Sequence, residues 1–458
     1  MERILEEVPY HVFSYQGDSF VAHRGLKRPL KISQEAKSHL ERRAAGEQAS
    51  PENEGLRREI SALEESGFFE PCEQPIPTDA EFDRLLRLRY EAPWTKLELA
   101  LSEVCNLACR YCYCGTCRDE VPNQGRMSET IARAAINWLF AVSGRSKEVG
   151  ITFFGGEPLM NKKALLFAVA YSQRLAKLHG KKVFYSMTTN GTLIDDDVID
   201  FANREMSNVV LSLDGRKEIH DRLRVDYAGN GSYERIVPKF QKLVEARGNK
   251  NYYMRGTFTH ANPDFTKDLF HMADLGFTEL SMEPVVCAPE DPAALTAEDL
   301  EIVKDQYELL AKDMLRREKE GKPITFYHYM LDLTGGPCIY KRISGCGSGT
   351  EYMAVTPWGD LYPCHQFVGE EAYKLGDIWN GVTNTALREE FRSCNAYARP
   401  ECNDCWARFY CSGGCAANAF HATGSIRGVY EAGCELFRKR IECAIMMKVA
   451  EDSAKANG

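Results

Sequence analysis

The feature that most restricts the fold of this chain is a sixfold alternation of short apolar segments with helix-length segments between residues 96 and 285. The apolar segments are LELALS (97–102), VGITFF (149–154), KVFYSMTT (182–189), NVVLSL (208–213), YYMRGTF (252–258) and TELSMEP (278–284). Strands that alternate with helices form a parallel sheet, because each helix returns the chain to the same edge. Six units are fewer than the eight of a closed barrel, so we predict an α/β protein with a partial (β/α)6 TIM barrel. Functional residues are then expected at the carboxyl ends of the strands.

The composition excludes several classes of protein. The chain has 458 residues, of which 44% are hydrophobic and 27% charged, which is enough for a large core and more than one domain. A net charge of -9 argues against a protein that binds nucleic acid through its phosphates. No apolar run approaches the roughly 18 residues of a membrane-spanning helix, and the first residues, MERILEEVPYHVF, do not resemble a secretory signal. We therefore expect a cytoplasmic protein without nucleic-acid or membrane partners.

The pattern along the chain predicts five consecutive parts. Residues 1–92 are predicted as a hairpin around Gly17 and Asp18 with two helices, ending near a proline-containing linker, QPIPTDA (74–80). The other parts are a barrel (93–290), a helical connector (291–337), a region rich in cysteine and glycine (338–435) and a C-terminal helix (436–458). The cysteine-rich region lacks long apolar periodicity, so something other than a core is expected to hold it together.

The cysteines are many and unevenly placed. Of the 17 in the chain, five lie between Cys105 and Cys117 and ten lie between Cys338 and Cys443. Clustered cysteines in a chain without a secretory signal indicate metal or catalytic ligands rather than disulfides. Those outside a ligand pattern are expected to be structural. They are Cys72, Cys114, Cys117, Cys287, Cys394 and Cys443.

The first cluster of cysteines directly follows the first predicted strand. Cys105, Cys109 and Cys112 form a C-x3-C-x2-C run, SEVCNLACRYC. Three thiolates at this spacing can bind three irons of a 4Fe-4S cluster and leave the fourth iron open to a substrate or cofactor. A zinc knuckle is the alternative interpretation.

With further motifs at the next strand ends, the chain resembles the radical S-adenosylmethionine (SAM) superfamily. Gly155-Gly156-Glu157-Pro158 resembles the GGEP motif of that family, whose backbone and glutamate hold the amino group of SAM. A carboxylate suits this role, because the methionyl ammonium needs a counter-charge. The resemblance implies further SAM contacts from residues near the cluster and at later strand ends: Tyr111 near the adenine, Asn190 in the Thr189-Asn190-Gly191 turn, Ser212 at the ribose and Arg224 at the carboxylate.

The later cysteines resemble the SPASM pattern, which carries two auxiliary 4Fe-4S clusters in radical SAM enzymes. The resemblance assigns Cys402, Cys405, Cys411 and Cys434 to one of these clusters. It assigns Cys346, Cys364 and Cys415 to the other, with Cys338 as the fourth ligand or the site left open to a substrate thiolate. The alternative is a zinc ribbon, because paired cysteines at these spacings also suit tetrahedral zinc. The expected cofactors are therefore SAM and three 4Fe-4S clusters.

The function implied by the resemblance is peptide maturation. The string GCGSGTEYMAVTPWGDLYPCHQFVG (345–369) is most similar to thioether-forming maturases of ranthipeptides (the SCIFF type) and of the quinohemoprotein amine dehydrogenase small subunit. The sulfatase-maturing relatives carry Asp after this cysteine, whereas this chain has His365, so formylglycine formation is disfavoured. His365 and Glu283 are the candidate acid–base residues.

The expected partners follow from the same resemblance. The N-terminal part resembles winged-helix-like domains that bind the leader of a precursor peptide as an added strand. A flavodoxin or a ferredoxin is the expected reductant. The alternatives are carbon–carbon crosslinking or another peptide oxidation, and a zinc- or cluster-bearing peptide-binding scaffold without turnover.

Overall fold

A computed structural model of the chain describes residues 8–23, 29–70, 94–112, 125–330 and 345–457. The predicted linker (74–80) lies outside these ranges, as do Cys72, Cys114, Cys117 and Cys338.

The N-terminal residues form a three-stranded antiparallel sheet with two helices. The elements are β1 (Tyr10–Tyr15), β2 (Asp18–His23), β3 (Leu30–Ile32), α1 (Gln34–Ala44) and α2 (Glu54–Glu65). The hairpin turns at Gln16 and Gly17, which both have positive φ angles, one residue before the predicted turn. Leu40, Ile60 and Val21 belong to a small core of this unit, whereas Phe13 and Phe20 belong to the main core of the molecule. The sheet is therefore covered on both faces.

The six predicted barrel strands are present and parallel. They are β4 (Lys96–Ser102), β5 (Glu148–Gly155), β6 (Lys182–Thr189), β7 (Asn208–Ser212), β8 (Tyr252–Phe258) and β9 (Glu279–Pro284). The helices between them are α3 (Glu129–Val142), α4 (Lys162–His179), α5 (Asp196–Glu205), α6 (Lys217–Leu223), α7 (Tyr233–Arg247) and α8 (Thr266–Asp274). Side chains cap three of these helices, since Ser128, Asn161 and Asp195 accept hydrogen bonds from the backbone N–H groups three residues later. The predicted partial barrel is confirmed.

The cysteine-rich region extends the barrel sheet at its first strand. After α9 (Ala297–Lys319) and β10 (Thr325–Phe326), strand β11 (Tyr352–Val355) pairs in parallel with β4. Strands β12 (Asp360–Tyr362), β13 (Gly376–Asp377) and β14 (Gly381–Val382) follow in antiparallel order. The sequence pattern did not predict this continuity, which places the residues after β12 beside the barrel interior.

Short helices complete the cysteine-rich region before one long terminal helix. They are α10 (Thr385–Ser393), α11 (Pro400–Asn403), α12 (Arg408–Cys411), α13 (Ala416–Thr423) and α14 (Glu431–Asn457). Helix α14 packs along α9, where Lys439 forms an ion pair with Glu308. Because α14 begins at Glu431, Cys434 lies inside it. In the described part of the chain, no helix combines the length and the apolar composition that a bilayer crossing requires.

The N-terminal unit lies against α14 and the cysteine-rich region. The His11 ring stacks on the Trp406 ring with 3.9 Å between centroids, and His11 Nε2 lies 2.9 Å from Glu442 Oε1. The Tyr15 hydroxyl donates to the Glu308 carbonyl at 2.5 Å. These contacts join the first residues of the chain to its last helix.

Candidate active site

A cavity of about 460 Å³ lies at the carboxyl ends of the barrel strands. The predicted cofactor and acid–base residues all lie on its wall: Tyr111, Gly155, Gly156, Glu157, Asn190, Ser212, Arg224, Glu283 and His365. The wall also contains Cys105, Cys109 and Cys112, which we call the barrel cysteines. The structure therefore gathers into one cavity the residues that the sequence motifs indicated separately.

The barrel cysteines lie on a loop that starts directly after β4. Backbone hydrogen bonds from Ala108 to Val225 and from Arg110 to Leu223 fix this loop against the chain after α6. Burial raises the pKa of the Cys109 thiol to about 12, against the opposing effect of Arg224. Cys105 and Cys112 raise it further, so the three thiols are close enough to affect one another.

The described residues contain no group suited to a single metal ion, and the Cys105 sulfur accepts hydrogen bonds. Around one zinc ion, thiolate sulfurs lie roughly 4 Å apart. Among the residues that the structure describes, no three His, Cys, Asp or Glu side chains are grouped so that they could hold one metal ion. Cys105 Sγ also accepts hydrogen bonds from the Leu107 backbone at 3.4 Å and the Asn190 amide at 3.5 Å. Such donors to sulfur are typical of iron–sulfur sites.

The glycine pair after β5 lets two backbone segments approach closely. A Cβ at Gly155, where φ is +117°, would lie 2.3 Å from the Ser102 carbonyl oxygen. A Cβ at Gly156 would lie 2.8 Å from the Glu103 carbonyl oxygen. Only glycine fits both positions, so this loop lies directly against the start of the barrel-cysteine loop.

Glu157 is fully buried and well supplied with hydrogen bonds. Its carboxylate accepts from the Leu159 backbone at 3.0 Å, the Thr189 hydroxyl at 2.9 Å and the Asn190 backbone at 2.8 Å. Burial nevertheless raises the pKa of Glu157 to about 7, because these hydrogen bonds only partly offset the loss of water. A carboxylate offers about four acceptor positions, so one remains for a cation.

A buried carboxylate that the sequence analysis missed, Asp214, joins two of the predicted SAM contacts. It accepts from Arg224 Nε at 2.9 Å and Nη2 at 3.1 Å, from the Tyr111 hydroxyl at 2.7 Å and from the Thr257 backbone at 3.0 Å. Burial alone would raise the pKa of Asp214, but Arg224 and the other donors hold it below its usual value. Asp214 therefore stays ionised and holds Arg224 and Tyr111 in place.

Glu283 is paired with Arg255, another residue that the sequence analysis missed. Arg255 Nη2 donates to Glu283 Oε2 at 2.5 Å, and His328 lies 3.6 Å from the other oxygen. Burial opposes ionisation of Glu283, but Arg255 together with His328 and Arg440 lowers its pKa to about 2. Such a carboxylate is a weak base near neutral pH.

His365 lies on the opposite wall, beside the first barrel strand. Its Nδ1 lies 3.3 Å from Glu98 Oε2, and its ring lies against Phe154 with 4.5 Å between centroids. Glu98 is a charged residue of the LELALS strand that faces the cavity, a position that the apolar pattern did not identify. The contact exists because β11 pairs with β4 and brings the residues after Cys364 to this wall.

The remaining predicted ligands fall into two neighbourhoods. Cys346 and Cys415 both raise the pKa of Cys364, which burial already raises strongly; we call these three the hairpin cysteines. The others are near one another through mutual effects on their thiol pKa values, and we call them the helix cysteines: Cys402, Cys405, Cys411 and Cys434. The sequence resemblance implied the same two sets, and their assignment as ligands stays a prediction. The predicted fourth partner of the hairpin cysteines, Cys338, lies outside the described residues.

Two models of known families match the chain, one over the barrel and one over the cysteine-rich region. The model of the radical SAM superfamily matches residues 99–283, and that of the iron–sulfur cluster-binding domain SPASM matches residues 346–406.

Among curated proteins, the chain is similar to two sulfatase-maturating enzymes. The cysteine-type anaerobic enzyme of Clostridium novyi (strain NT) is 27% identical over 345 residues, covering 69% of this chain and 86% of that enzyme. The serine-type enzyme of Klebsiella aerogenes is 25% identical over 379 residues, covering 78% and 86%.

Two solved structures have a similar fold. Native anSMEcpe with bound AdoMet has a TM-score of 0.63 at 20% identity and covers 78% of this chain and 99% of its own. SuiB of Streptococcus suis bound to S-adenosylmethionine has a TM-score of 0.54 at 14% identity and covers 92% and 97%. At these identities the likeness concerns the fold alone.

Proposed function

Since this chain is a radical SAM enzyme with a SPASM domain, and so uses SAM and 4Fe-4S clusters, we propose that it is a peptide maturase that forms thioether crosslinks. Each crosslink would join a cysteine sulfur to a carbon atom of a ribosomally made peptide or small protein. The observation that carries the proposal is the shared cavity, whose wall runs from the barrel cysteines to His365, the residue after Cys364. A peptide segment in this cavity would lie beside both a SAM site and an auxiliary site.

The proposed ligand sets follow the three cysteine neighbourhoods. The barrel cysteines would hold the SAM-binding cluster, the helix cysteines one auxiliary cluster, and the hairpin cysteines with Cys338 the other. When bound, these groups supply a 5′-deoxyadenosyl radical that removes a hydrogen atom from the peptide, and an acceptor for the electron left when the C–S bond forms.

The residues around the barrel cysteines would bind and orient SAM. The remaining acceptor position of Glu157 would take the methionyl ammonium, and Gly155 and Gly156 would let the ligand approach the backbone. Arg224, held by Asp214, would pair with the SAM carboxylate, and Tyr111 would lie near the adenine. Hydrogen bonds to Asp214 fix the side chains of Tyr111 and Arg224, as a precise binding site requires. The roles of Asn190 and Ser212 remain those that the family resemblance implies.

Of the two predicted acid–base residues, His365 is better suited to accept the thiol proton of a substrate cysteine. If Nδ1 donates to Glu98, Nε2 is an acceptor on the cavity wall. The ion pair with Arg255 makes Glu283 a structural residue in this scheme.

The N-terminal unit would bind the leader of the peptide. Strand β3 pairs with β2, and within the described ranges no strand pairs with its other edge. An added peptide strand could use that edge. SuiB has also been solved with its precursor peptide SuiA, at a TM-score of 0.52 and 14% identity. We further propose a flavodoxin or a ferredoxin as reductant and a cytoplasmic location, where clustered thiols stay reduced.

A second candidate function is another oxidation of a peptide or protein residue, including carbon–carbon crosslinking or sulfatase maturation. The names of the curated relatives favour modification of a protein residue without specifying a thioether. Among the alternatives, a scaffold without turnover is set aside because the relatives are enzymes.

The proposal is tested with a short cysteine-rich peptide encoded beside the gene. The anaerobically reconstituted enzyme, SAM and dithionite should remove two hydrogens and one alkylatable thiol per crosslink, as measured by mass spectrometry after iodoacetamide treatment. The Cp18Cys peptide, with which native anSMEcpe has also been solved, serves as a control and should remain unmodified. Loss of two hydrogens with every thiol still alkylated would indicate carbon–carbon crosslinking. Conversion of a cysteine to an aldehyde would indicate sulfatase maturation.

The leader hypothesis is tested on the peptide rather than on the enzyme. Deleting the N-terminal unit would remove Phe13 and Phe20 from the main core and expose the residues that they cover, so loss of activity would be ambiguous. Removing the N-terminal half of the peptide should instead lower kcat/KM about a hundredfold, because delivery of the core peptide is no longer intramolecular. Uncoupled SAM cleavage should be unchanged. Equal kcat/KM for the full and shortened peptides would refute a leader role.

A further inference from the structure

The end of β6 and the turn that follows it contact two parts of the proposed SAM site at once. The Thr189 hydroxyl and the Asn190 backbone donate to the Glu157 carboxylate, and the Asn190 side chain reaches the loop that carries the barrel cysteines. Thr189 and Asn190 are both buried. The family resemblance implies a contact of Asn190 with SAM, but the hydrogen bonds of its side chain indicate a different role.

The side chain of Asn190 has no hydrogen-bonding position left for a ligand. An asparagine amide has two N–H donors and an oxygen with two lone pairs. The oxygen accepts from the Thr192 backbone N–H at 3.0 Å and from the Thr192 hydroxyl at 2.6 Å. The nitrogen donates to Asn106 Oδ1 at 3.0 Å and to Cys105 Sγ at 3.5 Å. All four positions are therefore occupied by groups of the chain itself.

The neighbours of this amide fix its orientation. A backbone N–H can only donate, so the Asn190 atom that faces the Thr192 backbone must be the oxygen. The nitrogen then faces Asn106 and Cys105. A closed ring of hydrogen bonds supports the same orientation, because Asn106 Nδ2 donates to the Thr192 hydroxyl at 2.7 Å and that hydroxyl donates to Asn190. Every donor in the ring meets an acceptor, and hydrogen bonds in such networks strengthen one another.

Helix α7 holds the turn from its other side. Gly191 has a φ of +81°, and a Cβ there would lie 2.2 Å from Cε1 of Phe240, which is fully buried. Glycine is therefore required at this position. Lys239 Nζ donates to the Thr192 carbonyl at 2.6 Å. The Asn190 amide is thus carried by a turn that is fixed to the barrel core.

We infer that Asn190 is a positioning residue for the SAM-binding cluster: its amide donates to the Cys105 sulfur and holds this ligand against the turn that also supports Glu157. Reduction adds negative charge to a cluster, so an N–H donor to a ligand sulfur favours the reduced form and raises the reduction potential. The inference rests on the ligand set of the proposed function. The contact with SAM that the resemblance implies for Asn190 is then left to its backbone.

The test is a redox titration of the anaerobically reconstituted full chain without SAM, followed by electron paramagnetic resonance. The triple Ala variant of the barrel cysteines identifies the signal of their cluster by its loss. Asn190→Ala removes the donor to Cys105 and should lower the equilibrium constant for reducing that cluster about threefold, equivalent to about 28 mV for one electron. Asn190→Asp places an oxygen against the sulfur and should lower it about tenfold or more, equivalent to about 59 mV. The signals of the auxiliary clusters should not move.

The matched control is Asn262→Ala. Asn262 is also buried and follows the end of a barrel strand, β8. Its oxygen accepts from the Thr259 backbone at 2.9 Å and from the Thr259 hydroxyl at 3.2 Å, and its nitrogen donates to Asp268 at 3.1 Å. None of these bonds reaches a cysteine. A merely structural role of Asn190 would lower the free energy of unfolding in both Ala variants alike, whereas only Asn190→Ala should shift the potential.

The outcomes separate the inference from the proposed function. If the parent chain has a cluster at the barrel cysteines but both Asn190 variants keep its potential, the inference is overturned while the ligand set stands. Equal shifts in Asn190→Ala and Asn262→Ala would overturn it too, because loss of barrel packing would then explain both. If the parent shows no signal that depends on the barrel cysteines, the ligand set fails and the inference fails with it.

A third variant decides if neither Asn190 variant retains the cluster. Thr192→Val removes the hydroxyl of the hydrogen-bonded ring but leaves the Asn190 amide and its donor to Cys105 in the chain. Because the amide is then held less firmly, the potential should fall by a smaller factor than in Asn190→Ala. A potential equal to that of the parent overturns the inference.

Discussion

The strand ends of the barrel and the cysteine-rich region between Cys346 and Cys434 satisfy their buried polar groups in different ways. At the strand ends, carboxylates meet arginines of the same chain: Asp214 binds Arg224, and Glu283 binds Arg255. In the cysteine-rich region, buried thiols lie near one another, and the guanidinium of the buried Arg399 donates to two backbone carbonyls and to the Cys394 thiol.

The difference indicates which part of the site the chain organises by itself. Helices of the barrel have up to 18 residues and pack on a continuous sheet. Helices α11 and α12 of the cysteine-rich region have four residues each. Helices this short contribute little stability on their own. We therefore expect the barrel to keep its fold without its cluster and the cysteine-rich region to depend on its clusters.

The largest expected effect is on catalysis, with the fold intact. Replacing Cys105, Cys109 and Cys112 together by Ala should reduce 5′-deoxyadenosine formation to the uncatalysed background, because SAM would have no open iron. Limited proteolysis of residues 96–284 should be unchanged, since the strand-end ion pairs do not involve these thiols. The control is Cys287→Ala, outside all three cysteine neighbourhoods. SAM cleavage by the triple variant under dithionite would show that the ligand assignment is wrong.

The matching substitution in the other region should affect folding instead. Replacing Cys402 and Cys405 by Ala should make residues 346–434 at least about tenfold more susceptible to proteolysis, because the free energy of metal binding contributes to folding, on the order of 10 kcal/mol for structural zinc. Cleavage sites mapped by mass spectrometry should fall in this region and not in the barrel. If residues 346–434 were protected from proteolysis equally in this variant and in the triple variant of the barrel cysteines, the two regions would not differ in their dependence on clusters.

A third prediction concerns the charge pairing that distinguishes the barrel. Asp214→Asn leaves Arg224 buried without its anion and should lower the free energy of unfolding by about 3–5 kcal/mol, measured by chemical denaturation. The matched control is Asp264→Asn, because Asp264 is partly exposed and its partner Arg216 keeps a second carboxylate, Asp268. That change should cost about 1 kcal/mol or less. If Asp214→Asn and Asp264→Asn lowered the free energy of unfolding by similar amounts, the ion pair of Asp214 with Arg224 would not be what organises the barrel site.

The sequence predicted the parts of the molecule that depend on local pattern. The six strands follow from apolar segments of matching length, and the GGEP and cysteine motifs are contiguous in the chain. Asp214 was missed because its partners Tyr111 and Thr257 are 103 and 43 residues away in sequence. Glu98 was missed because its contact with His365 requires the parallel pairing of β11 with β4, which no local pattern encodes. Contacts that depend on long-range register become visible only in the folded chain.

The smallest expected effect is the pH dependence of SAM binding. Because burial raises the pKa of Glu157 to about 7, its carboxyl group is mostly protonated below that pH in the unliganded enzyme. Binding of the SAM ammonium needs the ionised carboxylate. Below about pH 7 the Glu157 carboxyl group must therefore release a proton when SAM binds, whereas above about pH 7 it is already ionised. SAM affinity should therefore rise with pH, by at most about tenfold per unit below about 7, and level off above it.

Equilibrium dialysis of SAM against the reconstituted enzyme between about pH 6 and pH 8 measures this dependence. Glu157→Gln cannot ionise, so its weaker affinity should be constant over the range, whereas Glu129→Gln, on the exposed side of α3, should behave as the parent does. The pH dependence is expected at Glu157 in particular, because the donors to its carboxylate are uncharged. Asp214 and Glu283, in contrast, are kept ionised by arginines. A flat profile for the parent, or an unchanged slope in Glu157→Gln, would assign the ammonium to another acceptor.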